Sequence, residues 1–338
     1  MTEGLKTVEK FTSSDGRVIY GMPVAAFPNF IANVYIVRDG ERTVLVDTGS
    51  PMQQSHDSLL QGLAGIEERF GERIALADVD LILITHGHSD HFGGLPFVRA
   101  HTDAPVGIHV LDRRVLTHYE ERVIVTAKQL AVFLERAGIS TDARKVLMQM
   151  YTMQKGMYRS TPVDVTLEEG IQPIDGMDVI HVPGHCPGQV CLRLGDVLLA
   201  ADHVLSRITP HQAPESITLN MGLGHYFTSL DRVAKLDGVR LALGGHENPI
   251  PDLPKRVGQI RAAHERRLER VLELCAEPQS IVEVSKGLFG ATHGYNVLLA
   301  IEETGAHVEH LYQTGDLVAG NVNELRDQEE PVIEYIKA

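Results

Sequence analysis

The chain has three cysteines, Cys186, Cys191 and Cys275, in 338 residues. They are too few and too scattered for a disulfide framework, so a reducing, cytoplasmic setting is expected. No run of about twenty apolar residues occurs, which excludes a membrane-spanning helix. The opening residues, Met1 to Lys6, lack a basic segment followed by an apolar one, and no secretory signal is expected. Positive charge is also in short supply. The 31 Lys and Arg stand against 45 Asp and Glu, a formal net charge of −14. That balance disfavours nucleic acid or an anionic membrane as a whole-surface partner and leaves room only for a local basic groove. What is present, 43% hydrophobic and 22% charged residues, fits a globular protein long enough for one large or two ordinary domains.

One stretch organises the rest. Leu81 to Ile84 are four β-prone apolar residues and read as a buried strand. The segment after them, Thr85-His86-Gly87-His88-Ser89-Asp90-His91-Phe92-Gly93-Gly94, reads as a loop at the strand's C-terminal edge. Three imidazoles and a carboxylate at H-x-H-x-D-H spacing carry no hydrophobic periodicity, and a metal site is the natural reading. One loop supplies too few ligands. Further candidates follow other apolar runs: His185 after Asp178–Val182, Asp202 after Val197–Ala201, and His246 after Arg240–Leu243. Side chains at separate strand ends can be aimed into one edge cleft.

These segments, in this order, resemble the motifs of the metallo-β-lactamase superfamily over roughly residues 17 to 252. Thr85–His91 is similar to its signature loop, and Pro183-Gly184-His185-Cys186-Pro187-Gly188 to its third motif. Ala201-Asp202-His203 is similar to the fourth and Gly244-Gly245-His246-Glu247 to the fifth. The resemblance implies an α/β chain built as an αββα sandwich. It also implies one metal held by His86, His88 and His185, a second held by Asp90, His91 and His246, and Asp202 bridging them. Asp47, in Asp47-Thr48-Gly49, resembles the first motif and is read as a hydrogen-bond acceptor beside the metal loop rather than as a ligand.

Asn33–Val37, a turn at Asp39-Gly40 and Thr43–Val46 predict a hairpin. Leu59, Leu60, Leu63, Ile66 and Phe70 predict an amphipathic helix over residues 53 to 70. Val106–Val110 is a further strand. Residues 111–160 read as a helical insert with nine Lys or Arg against five Asp or Glu, a cationic island in an acidic chain. Its Met148, Met150, Tyr151, Met153, Met157 and Tyr158 could line an apolar substrate pocket as a cap, or could pack the insert's own helices. Residues 222–236 suggest another helix. Its Tyr226 and His225 could reach the cleft, although packing and solvent exposure are the simpler readings. Prolines at 249, 251 and 254 mark a boundary, giving a catalytic domain over 1–254 and a small domain over 255–338. The latter resembles the winged-helix appendage of the LACTB2-like branch. With nine basic against fourteen acidic residues, and Glu302, Glu303 and Glu309 on its third helix, it is expected to pack or dimerise rather than bind DNA.

The nitrogen and oxygen donors, with no thiolate in the set, suit two divalent ions, zinc first, with manganese and iron also compatible. A metal lowers the pKa of bound water from about 15.7 to about 7. A hydroxide held between two ions attacking a carbonyl or phosphorus is therefore the expected chemistry, with Asp90 passing the proton to the leaving group. The preferred substrate is a small, partly apolar ester, thioester or lactone. A phosphodiesterase cutting single-stranded RNA is the alternative, and a winged-helix regulator with a metal-sensing domain is a third reading. Asp202 stands where secreted metallo-β-lactamases carry Cys or Ser, which disfavours antibiotic hydrolysis. Leu205 replaces the tyrosine of acyl-homoserine lactonases. The interval of 44 residues from Asp202 to His246 leaves no room for the inserted domain of the RNA-processing nucleases.

Overall fold

The computed structural model describes residues 6–329 and 331–338. Its first compact unit takes in, of the described residues, 6–119, Tyr158–Pro210 and Ser229–Val257. Seven strands form one sheet in sequence order: β1 (Glu9–Thr12), β2 (Val18–Phe27), β3 (Phe30–Asp39), β4 (Arg42–Val46), β5 (Leu81–Leu83), β6 (Val106–His109) and β7 (Val165–Leu167). The first four pair antiparallel, and β4 to β7 run parallel. The hairpin predicted from the sequence is β3 and β4, with Gly40 at φ +62° taking the left-handed turn position.

A second sheet orders β8 (Met177–His181), β9 (Val190–Leu194), β10 (Val197–Ala201) and β11 (Leu241–Gly244) as β11-β10-β9-β8. The two sheets face each other. Tyr35, Val37, Val44, Val46 and Leu83 from the first share one buried cluster with Val179, Leu192, Leu194, Val197 and Leu199 from the second. Truncating such a residue, Leu83→Ala for instance, costs about 2–5 kcal/mol. The helix Gln53–Phe70 buries Leu59, Leu63 and Ile66 against β2 and ends at Gly71, φ +71°. The chain is an αββα sandwich, and its parallel strands β4, β5 and β6 are buried where the sequence reads as continuous apolar runs.

The second unit comprises Glu120–Met157, His211–Thr228 and Gly258–Ala338. This differs from a division at residue 254. The insert's helices, Tyr119–Arg136 and Thr141–Lys155, bury Leu130, Phe133, Leu134, Leu147 and Tyr151 in one core with Val271, Ile281, Val284, Leu298, Ile301 and Leu311. The sequence could not show that partnership, because an amphipathic stripe states that a face is buried and not what buries it. Of the insert's soft residues, Met153 and Met157 are exposed, at 72% and 48%. Past the helix Leu253–Leu274 come β12 (Gln279–Ser280), helices Ile281–Phe289 and Asn296–Thr314, β13 (Leu317–Ala319) and β14 (Glu334–Lys337), with β14 paired between β12 and β13. Ser280 caps the first of these helices by accepting from Glu283 N–H while the Glu283 carboxylate accepts from Ser280 N–H, worth about 1 kcal/mol. Glu303, read from the sequence as part of an acidic helix face, is instead buried.

Candidate metal centre

The site lies within the first unit, where strand ends deliver its side chains. Past β5, residues 84 to 88, with His86 and His88, lead into a short helix, Ser89–Phe92, that carries Asp90 and His91. His185 follows β8. Asp202 follows β10 directly, and Ala201 before it takes φ +46° where the pairing of β10 with β11 shifts register, a bulge that re-aims the next side chain. Beyond β11 come Gly245 and His246.

The structure brings all seven expected residues together. Potential ligand atoms of His86, His88 and His185 lie within 4.8 Å of one another, as do those of Asp90, His91 and His246. Asp202 sits between the groups: Oδ1 is 3.5 Å from His91 Nε2, and Oδ2 is 3.2 Å from His246 Nε2 and 3.7 Å from His185 Nε2. Asp90 Oδ2 is 3.3 Å from His246 Nε2 and 3.6 Å from His91 Nε2.

The outer ring nitrogens are held by acceptors. His91 Nδ1–H donates to Asp47 Oδ2 at 2.8 Å, and His246 Nδ1–H donates to the Ile31 carbonyl at 2.6 Å. The Thr85 hydroxyl donates to Asp47 at 2.9 Å, so its oxygen accepts from His86 Nδ1–H at 3.1 Å. Fixing Nδ1–H leaves each Nε2 lone pair aimed inward. Among the described residues, Nε2 of His86, His91 and His246 and Oδ1 of Asp202 are buried without a hydrogen bond. Gly245 opens the space beside them, since a Cβ there would fall 2.2 Å from Asp202 Oδ1 and 2.7 Å from His91 Cε1. Convergent buried lone pairs with room kept beside them fit divalent cations.

Electrostatics agree. Burial pushes the Asp202 and Asp90 carboxyls up, but the imidazoles of His246 and His91 outweigh it and hold both well below the usual carboxylate range. Burial lowers His246, but Asp202 and Asp90 outweigh it and raise the ring to about 10, and His91 is raised in the same way. Without a cation, protons on these rings balance the acids. A divalent ion would displace them, so affinity should rise with pH.

Some roles were not read from the sequence. Asp112, buried, accepts from Gly87 N–H through Oδ2 at 2.8 Å and from Gly188 N–H through Oδ1 at 3.0 Å, tying the loop of His86 and His88 to that of His185. Asn33 Nδ2 donates to the carbonyls of Gly244 and Glu247, and the Tyr35 hydroxyl donates to Gly244, holding the loop of His246. Cys186, left out of the donor set, has its sulfur within 4.8 Å of ligand atoms of His86, His88 and His185. Tyr158 packs on Phe92 of the metal loop, and burial, with the charge of Asp90, pushes its hydroxyl up to about 12. The sequence reads Tyr158 as a candidate for pocket lining and Cys186 as part of the third motif; for Asn33 the signal is polarity inside an apolar run. Tyr226 is buried in the second unit edge-on to His264, and His225 pairs with Glu215 at 3.2 Å.

An αββα sandwich with His and Asp side chains gathered at its strand ends defines a metal-dependent hydrolase. The chain belongs to the metallo-beta-lactamase superfamily, whose family model matches residues 28–274. It is 24% identical over 290 residues to a probable metallo-hydrolase, YqjP, of Bacillus subtilis (strain 168), covering 82% of this chain and 86% of the relative. It is also 22% identical over 283 residues to an atrochrysone carboxyl ACP thioesterase of Aspergillus chevalieri, covering 81% and 69%. Among solved structures, the metallo-beta-lactamase family protein TTHA1429 of Thermus thermophilus superimposes with a TM-score of 0.76 at 28% identity, covering 95% of this chain and 98% of that one.

Proposed function

We propose that the chain is a binuclear hydrolase of a carboxylic ester, thioester or lactone, with the thioester foremost. His86, His88 and His185 would hold one ion, and Asp90, His91 and His246 the other, with Asp202 shared between them. The observation that carries this reading is Asp202, whose two oxygens face imidazoles of both groups. Zinc is the first choice for these nitrogen and oxygen donors. Divalent ions held there would ionise water at neutral pH and neutralise the charge developing on a carbonyl oxygen.

The remaining work falls to the chain itself. Asp47, Thr85 and the Ile31 carbonyl hold the imidazoles in one tautomer and orientation. Asp90, which touches His246 and His91 through Oδ2, accepts the proton released by attacking water and returns it to the leaving group. The thioesterase relative supports an acyl thioester as the first substrate to try.

The second reading is cleavage of single-stranded RNA, favoured by the cationic insert and by the sequence resemblance to the LACTB2-like branch. Ion pairs within the insert reduce the charge it can offer, as at Arg144–Glu135, 2.7 Å, and Lys145–Asp142, 3.6 Å. We read residues 255–338 as a winged-helix-like domain used for packing or dimerisation, in a cytoplasmic protein. The regulator reading is disfavoured because the third helix, Asn296–Thr314, carries no Lys or Arg and buries much of its length from Leu298 to Leu311. Assay of the zinc-loaded protein on an acyl thioester, an aryl ester, a lactone and a labelled RNA oligomer tests the ranking. Turnover of the thioester is expected, and cleavage of RNA alone would overturn the proposal.

A further inference from the structure

The second unit contains a cavity of about 380 Å³, within the size range of small-molecule sites. The helix Tyr119–Arg136 forms one wall, with Lys128, Val132 and Arg136 four residues apart along one face. Phe133 and Ile281, both buried, supply apolar lining. Gly305 shapes the floor: a Cβ there would fall 2.5 Å from Phe133 Cζ, so the missing side chain lets the ring lie against the helix Asn296–Thr314.

The cavity's rim differs from its floor. Lys128 and Arg136 are exposed, and they belong to the cationic island of an otherwise acidic chain. The acid in the lining, Glu309, is turned to Ser216, whose N–H and hydroxyl donate to it at 3.1 Å and 2.9 Å. Burial pushes that carboxyl up from its ordinary value, which lessens its opposition to an anion.

We propose that this cavity is a binding site for a carboxylic acid with an apolar tail, the tail against Phe133 and Ile281 and the carboxylate at Lys128 and Arg136. An apolar depth closed by two cations suits one anionic head on one hydrocarbon body, since each part meets its complement. The site includes none of the seven residues of the metal centre, so the inference stands whatever the hydrolase acts on.

Isothermal titration of the full-length, zinc-loaded protein with decanoate and, separately, with decanol tests it. Saturable one-to-one binding of decanoate is expected, about tenfold tighter than decanol. Lys128→Glu combined with Arg136→Glu should weaken decanoate about tenfold or more and leave decanol unchanged. Val132→Trp, at a position 37% exposed, should fill the cavity and abolish both. Its tryptophan is the chain's only one, so its emission also reports whether the fold is kept. His246→Ala should retain decanoate. Loss of binding in His246→Ala would place the acid at the metal centre and overturn the proposal. So would equal affinity for acid and alcohol, indifference to the charge reversals, or a dimer in solution that Val132→Trp dissociates, since a second copy would then be the occupant.

Discussion

Two buried clusters of imidazole and carboxylate can be compared in this protein, and only one of them suits metal. In the second unit, His264, Glu303 and His307 bring potential ligand atoms within 4.8 Å of one another, as the metal-centre residues do. Their polar atoms, however, are largely spent on each other. His307 Nδ1–H donates to the Glu303 carbonyl at 2.7 Å, so its Nε2 accepts from His264 Nδ1–H at 3.1 Å. Arg267 Nη1 lies 3.1 Å from Glu303 Oε1 and 3.4 Å from His264 Nδ1, so the chain's own cation stands beside the cluster. At the metal centre the acceptors sit behind the rings and the lone pairs meet in front, beside a glycine. The same residue types make a structural network where the chain supplies its own cation, and a candidate metal site where it does not.

The largest effect expected is at the metal centre. His246→Ala should lower kcat on the best substrate on the order of a thousandfold in steady-state assays, because one ion loses a ligand and water activation goes with it. His264→Ala should leave kcat within about twofold. Next comes Arg267→Ala, which leaves the buried Glu303 its bond from Gln212 N–H but takes away its cation. It should cost about 2–3 kcal/mol in denaturant unfolding, toward the low end for a broken buried pair because the arginine side chain is itself 29% exposed. Activity of the folded fraction should be unchanged.

Gly245→Ala and Asp112→Ala sharpen the contrast from the metal side. The first puts a methyl group against Asp202, and the second releases two loop N–H groups. Each should weaken zinc about 10- to 100-fold, read by competition with a chelating dye, while thermal unfolding of the metal-free protein shifts less in Gly245→Ala than in Asp112→Ala.

The smallest effect is on pH. Burial, with help from His307 and Arg267, pulls His264 down to about 3. The unfolded chain therefore takes up a proton near pH 6.5 that the folded chain refuses. Stability from this group is complete above pH 6.5 and is lost as the pH falls toward 3. His264→Gln should reduce the loss of stability between pH 6.5 and 5 by on the order of 2 kcal/mol in urea titrations.

The candidate metal centre was legible from the sequence because its residues sit at the ends of apolar runs, where strand geometry fixes their direction within a residue or two. His86 to His91 follow Leu81–Leu83, and Asp202 follows Val197–Ala201, so pattern and placement coincide. Helix 53–70 was legible for the same local reason. Asp112 was not, because its partners at positions 87 and 188 are far away in the chain and nothing nearby demands a carboxylate. Glu303 looked like surface charge because Arg267, which neutralises it, lies 36 residues earlier. The insert's partnership with the C-terminal helices was hidden likewise, since Leu134 and Val284 meet only through tertiary packing.

Native mass spectrometry of the zinc-reconstituted protein, alongside His246→Ala and His264→Ala, tests the central contrast most directly. Two zinc ions per chain are predicted for the wild type and for His264→Ala, and one for His246→Ala. Zinc missing from the wild type, or lost with His264 and kept without His246, would contradict the account.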